Sequence, residues 1–337
     1  MKKLFVLATI CSMFVWACTN SDTSKNADTT LTIEGTPAIA DISQRIEDEP
    51  NNAELYAMRG RLFYEEEQYE AAISDLTNAV NRDSLNVAYY HLLSDAYFDA
   101  NQSKSAIATL QKVVNRDSTL TNTLLKLGEM QMIVRRHEAS LKTIGLIFNQ
   151  DRRNPEAFYL GGLNFEQMGD TARAINSFQT TVEEDPDHID AYRKLARHFD
   201  RQDNKIALDY FDNALRIDST DMEALMGKGW YFHQREQFAK AKKYYEKAAK
   251  IHAMEPGVHF DNGILHLEMK DPETAYKKFD LAINLEPQYG MAYYYRALAS
   301  EQTGKSLNAI INDYQQAVSL MPDPQRATAA LERLGVQ

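Results

Sequence analysis

The chain has 337 residues, 44% hydrophobic and 10% aromatic, with only 9 prolines and a formal net charge of −11. That apolar content is enough for a continuous core, and the dominant helix formers Ala, Leu, Glu, Lys and Gln predict a nearly all-helical fold. The negative charge excludes nucleic acid, and adhesion to anionic lipid, as the main business of the surface.

At the start, Lys2 and Lys3 precede an apolar run from Leu4 to Trp16, too short to cross a bilayer and followed by Ala17 and Cys18. These are the parts of a secretory signal. The stretch Val15-Trp16-Ala17-Cys18 resembles the lipobox of bacterial lipoproteins, which implies cleavage after residue 17 and a diacylglyceryl group on the Cys18 thiol. Cysteine usage agrees, because Cys11 lies inside the apolar run and Cys18 would remain as the sole thiol, with no internal disulfide available. Loss of Lys2 and Lys3 would leave 35 basic against 48 acidic residues, a charge of −13. Membrane contact is then expected through the lipid alone. Thr19 stands where some lipoproteins carry an aspartate that retains them in the inner membrane, so the resemblance favours the outer membrane of a bacterial cell envelope; the periplasmic and external sides both stay open.

Residues 18–36 are rich in Thr, Ser, Asn and Asp, as expected of a flexible tether with a reach of roughly 25 Å. Residues 37–52 read as a lone helix with Ile42 and Ile46 on one face, ended at Pro50, and serve as an N-terminal cap or half repeat. Size alone would suggest two or three domains beyond it. A period of about 34 residues overrides that prior.

Phe158, Gly162, Phe165, Ala174, Phe178 and Pro186 fall at repeat positions 4, 8, 11, 20, 24 and 32. The same offsets hold Leu225, Gly229, Phe232, Ala241, Tyr245 and Ala253, and then His259, Gly263, His266, Ala275, Phe279 and Pro287. The pattern resembles the tetratricopeptide repeat, which implies an all-α right-handed superhelical solenoid of antiparallel helix pairs. Eight units result: 53–86, 87–120, 121–154, 155–188, 189–221, 222–255, 256–289 and 290–323. Each supplies a small residue at position 8: Gly60, Ser94, Gly128, Gly162, Ala196, Gly229, Gly263 and Ala297. Distorted packing is expected in the third unit, with Gln131 and Ser140 at positions 11 and 20, in the fifth, one residue short, and in the eighth, one residue long. Residues 324–337 read as a C-terminal capping helix, with Ala327, Ala330, Leu331 and Leu334 on its apolar stripe.

The sequence carries no phosphate-cradling glycine loop, HExxH pair, GxSxG elbow or CxxC, and signal, tether, repeats and caps leave no room for a catalytic domain. No enzyme activity, cofactor, metal or small-molecule substrate is expected. His259 and His266 sit at core positions 4 and 11 and read as replacements for aromatics. In the resembled family the first helix of each unit lines a concave groove through positions 2, 5, 9, 12 and 13. Carried over, these offsets give an apolar lining in units six to eight, formed by Met226, Trp230, His233, Phe260, Ile264, Leu267, Met291, Tyr294 and Leu298. Such a patch marks either a partner site or core covered by neighbouring helices. In unit five Arg193, Arg197 and Arg201 stand one above another, to grip a partner carboxylate or to pair with Asp190, Asp200 and the acids of adjacent repeats. Earlier units offer Tyr64, His91, Phe98, Leu125, Met132, Ile133, Tyr159 and Leu163 among Glu54, Glu65, Asp95, Asp99, Glu129 and Glu166, a lining suited to a basic or amphipathic segment. The expected function is a membrane-anchored, non-catalytic scaffold for a protein or peptide. An assembly factor of an envelope secretion, motility or cell-wall complex, a structural spacer and a non-catalytic enzyme subunit are the alternatives.

Overall fold

The computed structural model describes residues 36–336; the signal segment, Cys18 and the tether up to residue 35 lie outside the described residues. Within them the chain forms eighteen α-helices and no strand. Helix α1 (Pro37–Asp48) comes first, and eight pairs follow. They are α2 (Ala53–Glu65) with α3 (Tyr69–Arg82), α4 (Val87–Asp99) with α5 (Ser103–Arg116), α6 (Thr121–Ile133) with α7 (His137–Phe148), and α8 (Pro155–Gln167) with α9 (Thr171–Glu184). Next are α10 (Ile189–Arg201) with α11 (Ala207–Ile217), α12 (Met222–His233) with α13 (Phe238–Ile251), α14 (Pro256–Glu268) with α15 (Pro272–Leu285), and α16 (Gly290–Gln302) with α17 (Leu307–Leu320). Helix α18 (Gln325–Arg333) closes the array.

Each helix packs on the next in sequence, most closely within a pair, and first helices of neighbouring units also meet, as α2 meets α4 and α10 meets α12. The solenoid therefore turns its first helices inward, and these form its concave side. The close approach within a pair rests on small residues facing rings. A Cβ added at Gly162 would stand 2.5 Å from Phe178 Cε1, and one at Gly229 would stand 2.3 Å from Tyr245 Cε1. The third unit reaches the same packing by hydrogen bonds. Ser140 Oγ donates to the Gly128 carbonyl at 2.6 Å, Asn164 Nδ2 donates to Ser140 Oγ at 2.9 Å, and Thr143 Oγ1 donates to Gln131 Oε1 at 2.9 Å. Buried polar groups satisfied in this way stand in for an aromatic contact. The fifth unit takes up its missing residue in α11, only 11 residues long, and the eighth places its extra residue in the turn at 303–306.

All eight turns within a pair share one device. Position 15 is left-handed in every unit, with φ between 53° and 79° at Glu67, Asn101, Arg135, Gly169, Asp203, Glu236, Lys270 and Gly304. Between units, Asp83, Asp117, Asp151, Asp185 and Asp218 each accept the backbone N–H two residues on, closing the turn that leads into the next first helix. The ends are covered: Ile39 packs with Phe63 and Leu76, Ile42 and Ile46 pack with Leu55 and Tyr56, and Ala327, Ala330 and Leu331 of α18 pack with Ala297 and Tyr314.

Candidate protein-binding surface

The unit-five arginines are largely engaged by acids of their own solenoid. Arg193 pairs with Asp190 of its own helix, with the Asp221 carboxylate at 2.8 Å and, at 3.9 Å, with Glu223. Arg197 meets Glu223 at 3.0 Å yet stays exposed, and Arg201 is exposed with no carboxylate within 4 Å among the described residues. A three-arginine clamp is thus reduced to Arg197 and Arg201, because Asp221, the N-cap of the next first helix, holds Arg193.

The apolar residues of units six to eight divide in the same way. Phe260 lies 4.9 Å from the ring of Tyr289, the last residue of its own unit, and 5.6 Å from that of Tyr295 in the following unit. Ile264 and Leu267 pack with Phe279 and Ala299, Leu298 and Tyr294 pack beside Tyr314, and Met226 packs between Leu225 and Tyr231. Met291 is half-buried. His233 departs from its expected place on the open lining: it is 4% exposed, with Nε2 2.8 Å from Glu268 Oε2. Trp230 alone of this set is largely open, at 46% exposure.

A better-formed depression lies at the other end of the concave side. A hollow of about 680 Å³ opens between α1, α2 and α4, lined by Ile42, Ala57, Met58, Leu62, Tyr89 and Leu92, with Glu54, Arg61 and Asn86 among its polar residues. Met58 is 41% exposed there. The family offsets pass over most of this lining, since Met58, Leu62, Tyr89 and Leu92 stand at positions 6, 10, 3 and 6. Helix α1 adds a wall that no internal repeat has.

Polar residues enter the core of unit seven. His259 and His266 are buried and bonded, His259 Nε2 to the Ala253 carbonyl at 2.8 Å and His266 Nδ1 to Asp271 at 3.0 Å. Beside them, burial pushes the Asp261 carboxyl up to about 6, against the smaller opposing influence of His233. A carboxyl whose folded value exceeds its unfolded 3.8 holds an extra proton in the native state between those limits, so stability falls as pH rises from about 4 to 6. The loss above that window reaches about 3 kcal/mol. Asp261→Asn is expected to raise the urea midpoint at pH 7 and to leave it nearly unchanged at pH 4. Equal gains at both pH values would remove the carboxyl as the source.

An array of helix pairs with small residues under facing rings, capped at both ends, defines a helical repeat solenoid. Its sequence matches the tetratricopeptide repeat family over residues 57–119, 159–205 and 197–256, and the chain is a tetratricopeptide repeat protein. It is similar to the type IV pilus assembly protein PilF of Pseudomonas aeruginosa, 27% identical over 133 residues, which make up 39% of this chain and 53% of PilF. It is also similar to a DnaJ homolog subfamily C member 7 homolog of Dictyostelium discoideum, 20% identical over 217 residues, 60% of this chain and 34% of that one. The chain thus spans about half or less of these curated relatives. Among solved structures, the C-terminal part of a repeat protein from Cytophaga hutchinsonii superposes with a TM-score of 0.55 at 16% identity, covering 71% of this chain and 98% of the other, a likeness of fold.

Proposed function

We propose that this protein is a non-catalytic scaffold that holds a protein or peptide segment on its concave side, near a bacterial envelope membrane to which lipid on Cys18 ties it. The observation that carries the reading is the open apolar hollow between α1, α2 and α4, with its polar residues beside the apolar ones, a shape and chemistry suited to an apolar anchor on an extended or helical segment. Exposed Trp230 with Arg197 and Arg201 offers a secondary contact further along. The likeness to a pilus assembly protein favours, as a second reading, an assembly factor that gathers parts of an envelope machine. Anchorage rests on the Val15–Cys18 motif, and the outer-membrane location on Thr19 after it.

Met58 and Ala88 both line the hollow and are exposed, so acidic substitutions there leave the fold intact. Met58→Glu with Ala88→Glu is expected to weaken capture of partners from detergent-solubilised envelope about tenfold, one decade in affinity. Trp230→Ala should weaken it less. Partners retained by both variants would make the solenoid a spacer. Metabolic labelling with radioactive palmitate tests the anchor separately, with label expected on the native chain and lost in Cys18→Ala.

A further inference from the structure

Away from the groove, the edge formed by the turns within pairs carries two unpaired patches of opposite charge. At the unit-three turn a cavity of about 600 Å³ is lined by Arg135, Arg136, His137, Glu138, Lys142 and Met168. No carboxylate lies within 4 Å of Arg135, Arg136 or Lys142 among the described residues, although most other arginines of this acidic chain are paired or hydrogen-bonded. Ile133, 51% exposed, and Met168, 45% exposed, flank these cations. At the unit-one turn stand Glu65, Glu66, Glu67 and Glu70, none within 4 Å of a lysine or arginine; Glu66 accepts only the side-chain N–H of Gln68, at 3.0 Å. Tyr69 beside them is half-buried against Tyr64, with ring centres 5.9 Å apart.

The two patches are evenly placed about a third turn. The left-handed residues Glu67, Asn101 and Arg135 are successive members of one 34-residue series, so the acidic and basic turns lie one repeat to either side of the unit-two turn. That middle turn is Ala100-Asn101-Gln102, with Asp99 before it and Lys104 after it, and bears no net charge. Two edges laid antiparallel, with a two-fold axis at the unit-two turns, bring Glu65 to Glu70 of each copy onto Arg135, Arg136 and Lys142 of the other. The same operation sets Tyr69 against Ile133 and Met168. We propose that this edge pairs two copies of the chain in a closed, isologous dimer. A single edge cannot satisfy itself, because its own patches are separated by a whole repeat. A long polyanion is a poor occupant, since beyond about 10 Å, the screening length at 0.1 M salt, it meets an acidic surface.

Exposed ion pairs are individually weak and are screened by salt, so the dimer should be salt-sensitive. Sedimentation velocity of the dye-labelled full chain in mild detergent is expected to show dimer at 20 mM NaCl, with about tenfold weaker association at 500 mM, the direction set by screening. Arg135→Glu with Arg136→Glu should be monomeric, as should Glu65→Lys with Glu66→Lys. Arg135, Arg136 and Glu65 are exposed and Glu66 is half-buried, and circular dichroism checks that helix content is kept. An equimolar mixture of the two double variants should restore dimer, because each reversed pair then meets a pair of opposite charge across the two-fold. A wild-type chain that is monomeric at low salt, a dimer indifferent to either reversal, growth beyond dimer, or a mixture that stays monomeric would each overturn the proposal. So would recovery of the basic patch bound only to an acidic segment of another protein.

Discussion

Phe178→Ala is expected to lower stability by about 3–5 kcal/mol, the range for removing a fully buried aromatic side chain. Phe178 is 0% exposed, and its ring fills the space that Gly162 leaves on the facing helix. It also lies 5.7 Å from the Tyr159 ring and 6.0 Å from that of His198, so it joins α9 to both its own first helix and the next. Ala174 and Leu195 are fully buried beside it. Solenoid stability is close to a sum of unit and interface terms, so a loss at unit four should also split the unfolding transition between the two halves. Urea denaturation followed by circular dichroism measures both effects. Gly162→Ala gives the reciprocal test: its Cβ would sit 2.5 Å from the ring, an overpacking cost of about 1–3 kcal/mol that exceeds alanine's helical advantage. In the double variant the ring is gone and the alanine fits, so the two costs should fall short of additive by about 1 kcal/mol or more. Strict additivity would show that the ring and the glycine do not form one contact.

The same pair explains why the fold was legible in the sequence. Small residues at positions 8 and 20 opposite rings at position 24 announce a helix pair wherever they recur, and the architecture follows from that spacing. Other features left no such trace. The left-handed turn at position 15 is glycine only at Gly169 and Gly304, while the other six units hold Glu, Asn, Arg, Asp, Glu and Lys in the same backbone state. The lining of units six to eight was ambiguous because part of its cover comes from the next repeat, as Tyr295 covers Phe260. His233 sits at a lining offset and is nonetheless buried, since Glu268 of the following first helix reaches it. The N-terminal hollow escaped the family offsets because Met58, Leu62, Tyr89 and Leu92 stand at positions those offsets skip, and its α1 wall lies outside the eight units.

Arg296→Met is expected to cost about 3–5 kcal/mol, the penalty for leaving buried partners of an ion pair uncompensated. Arg296 stands at position 7 of α16, with its side chain 16% exposed, and grips acids on both sides. Nε and Nη2 donate to the two Asp313 oxygens of α17 at 2.9 and 2.7 Å, and Nη1 donates to Asp280 of α15 at 2.7 Å. Burial opposes the guanidinium charge, but the hydrogen bonds and charges of Asp313 and Asp280 more than offset it and hold the group firmly protonated. Asp313 is only 7% exposed in its side chain, so losing the guanidinium would strand a carboxylate that water can barely reach. Unit one uses the same device at the opposite end, where Arg59 donates to both oxygens of Asp75 and to Ser43 of α1. Terminal units have a neighbour pair on one side only, and in each a planar fork replaces part of the missing apolar contact by fixing the unit to its cap or to the preceding second helix. Arg296→Lys tests the geometry apart from the charge. A compact ammonium cannot serve both Asp313 oxygens and Asp280 at once, so it should recover less than half of the loss in urea denaturation. If lysine restores full stability, charge alone suffices and the fork is dispensable. If Arg296→Met with Asp313→Leu regains the native midpoint, the penalty lies in the stranded carboxylate, as the buried geometry requires.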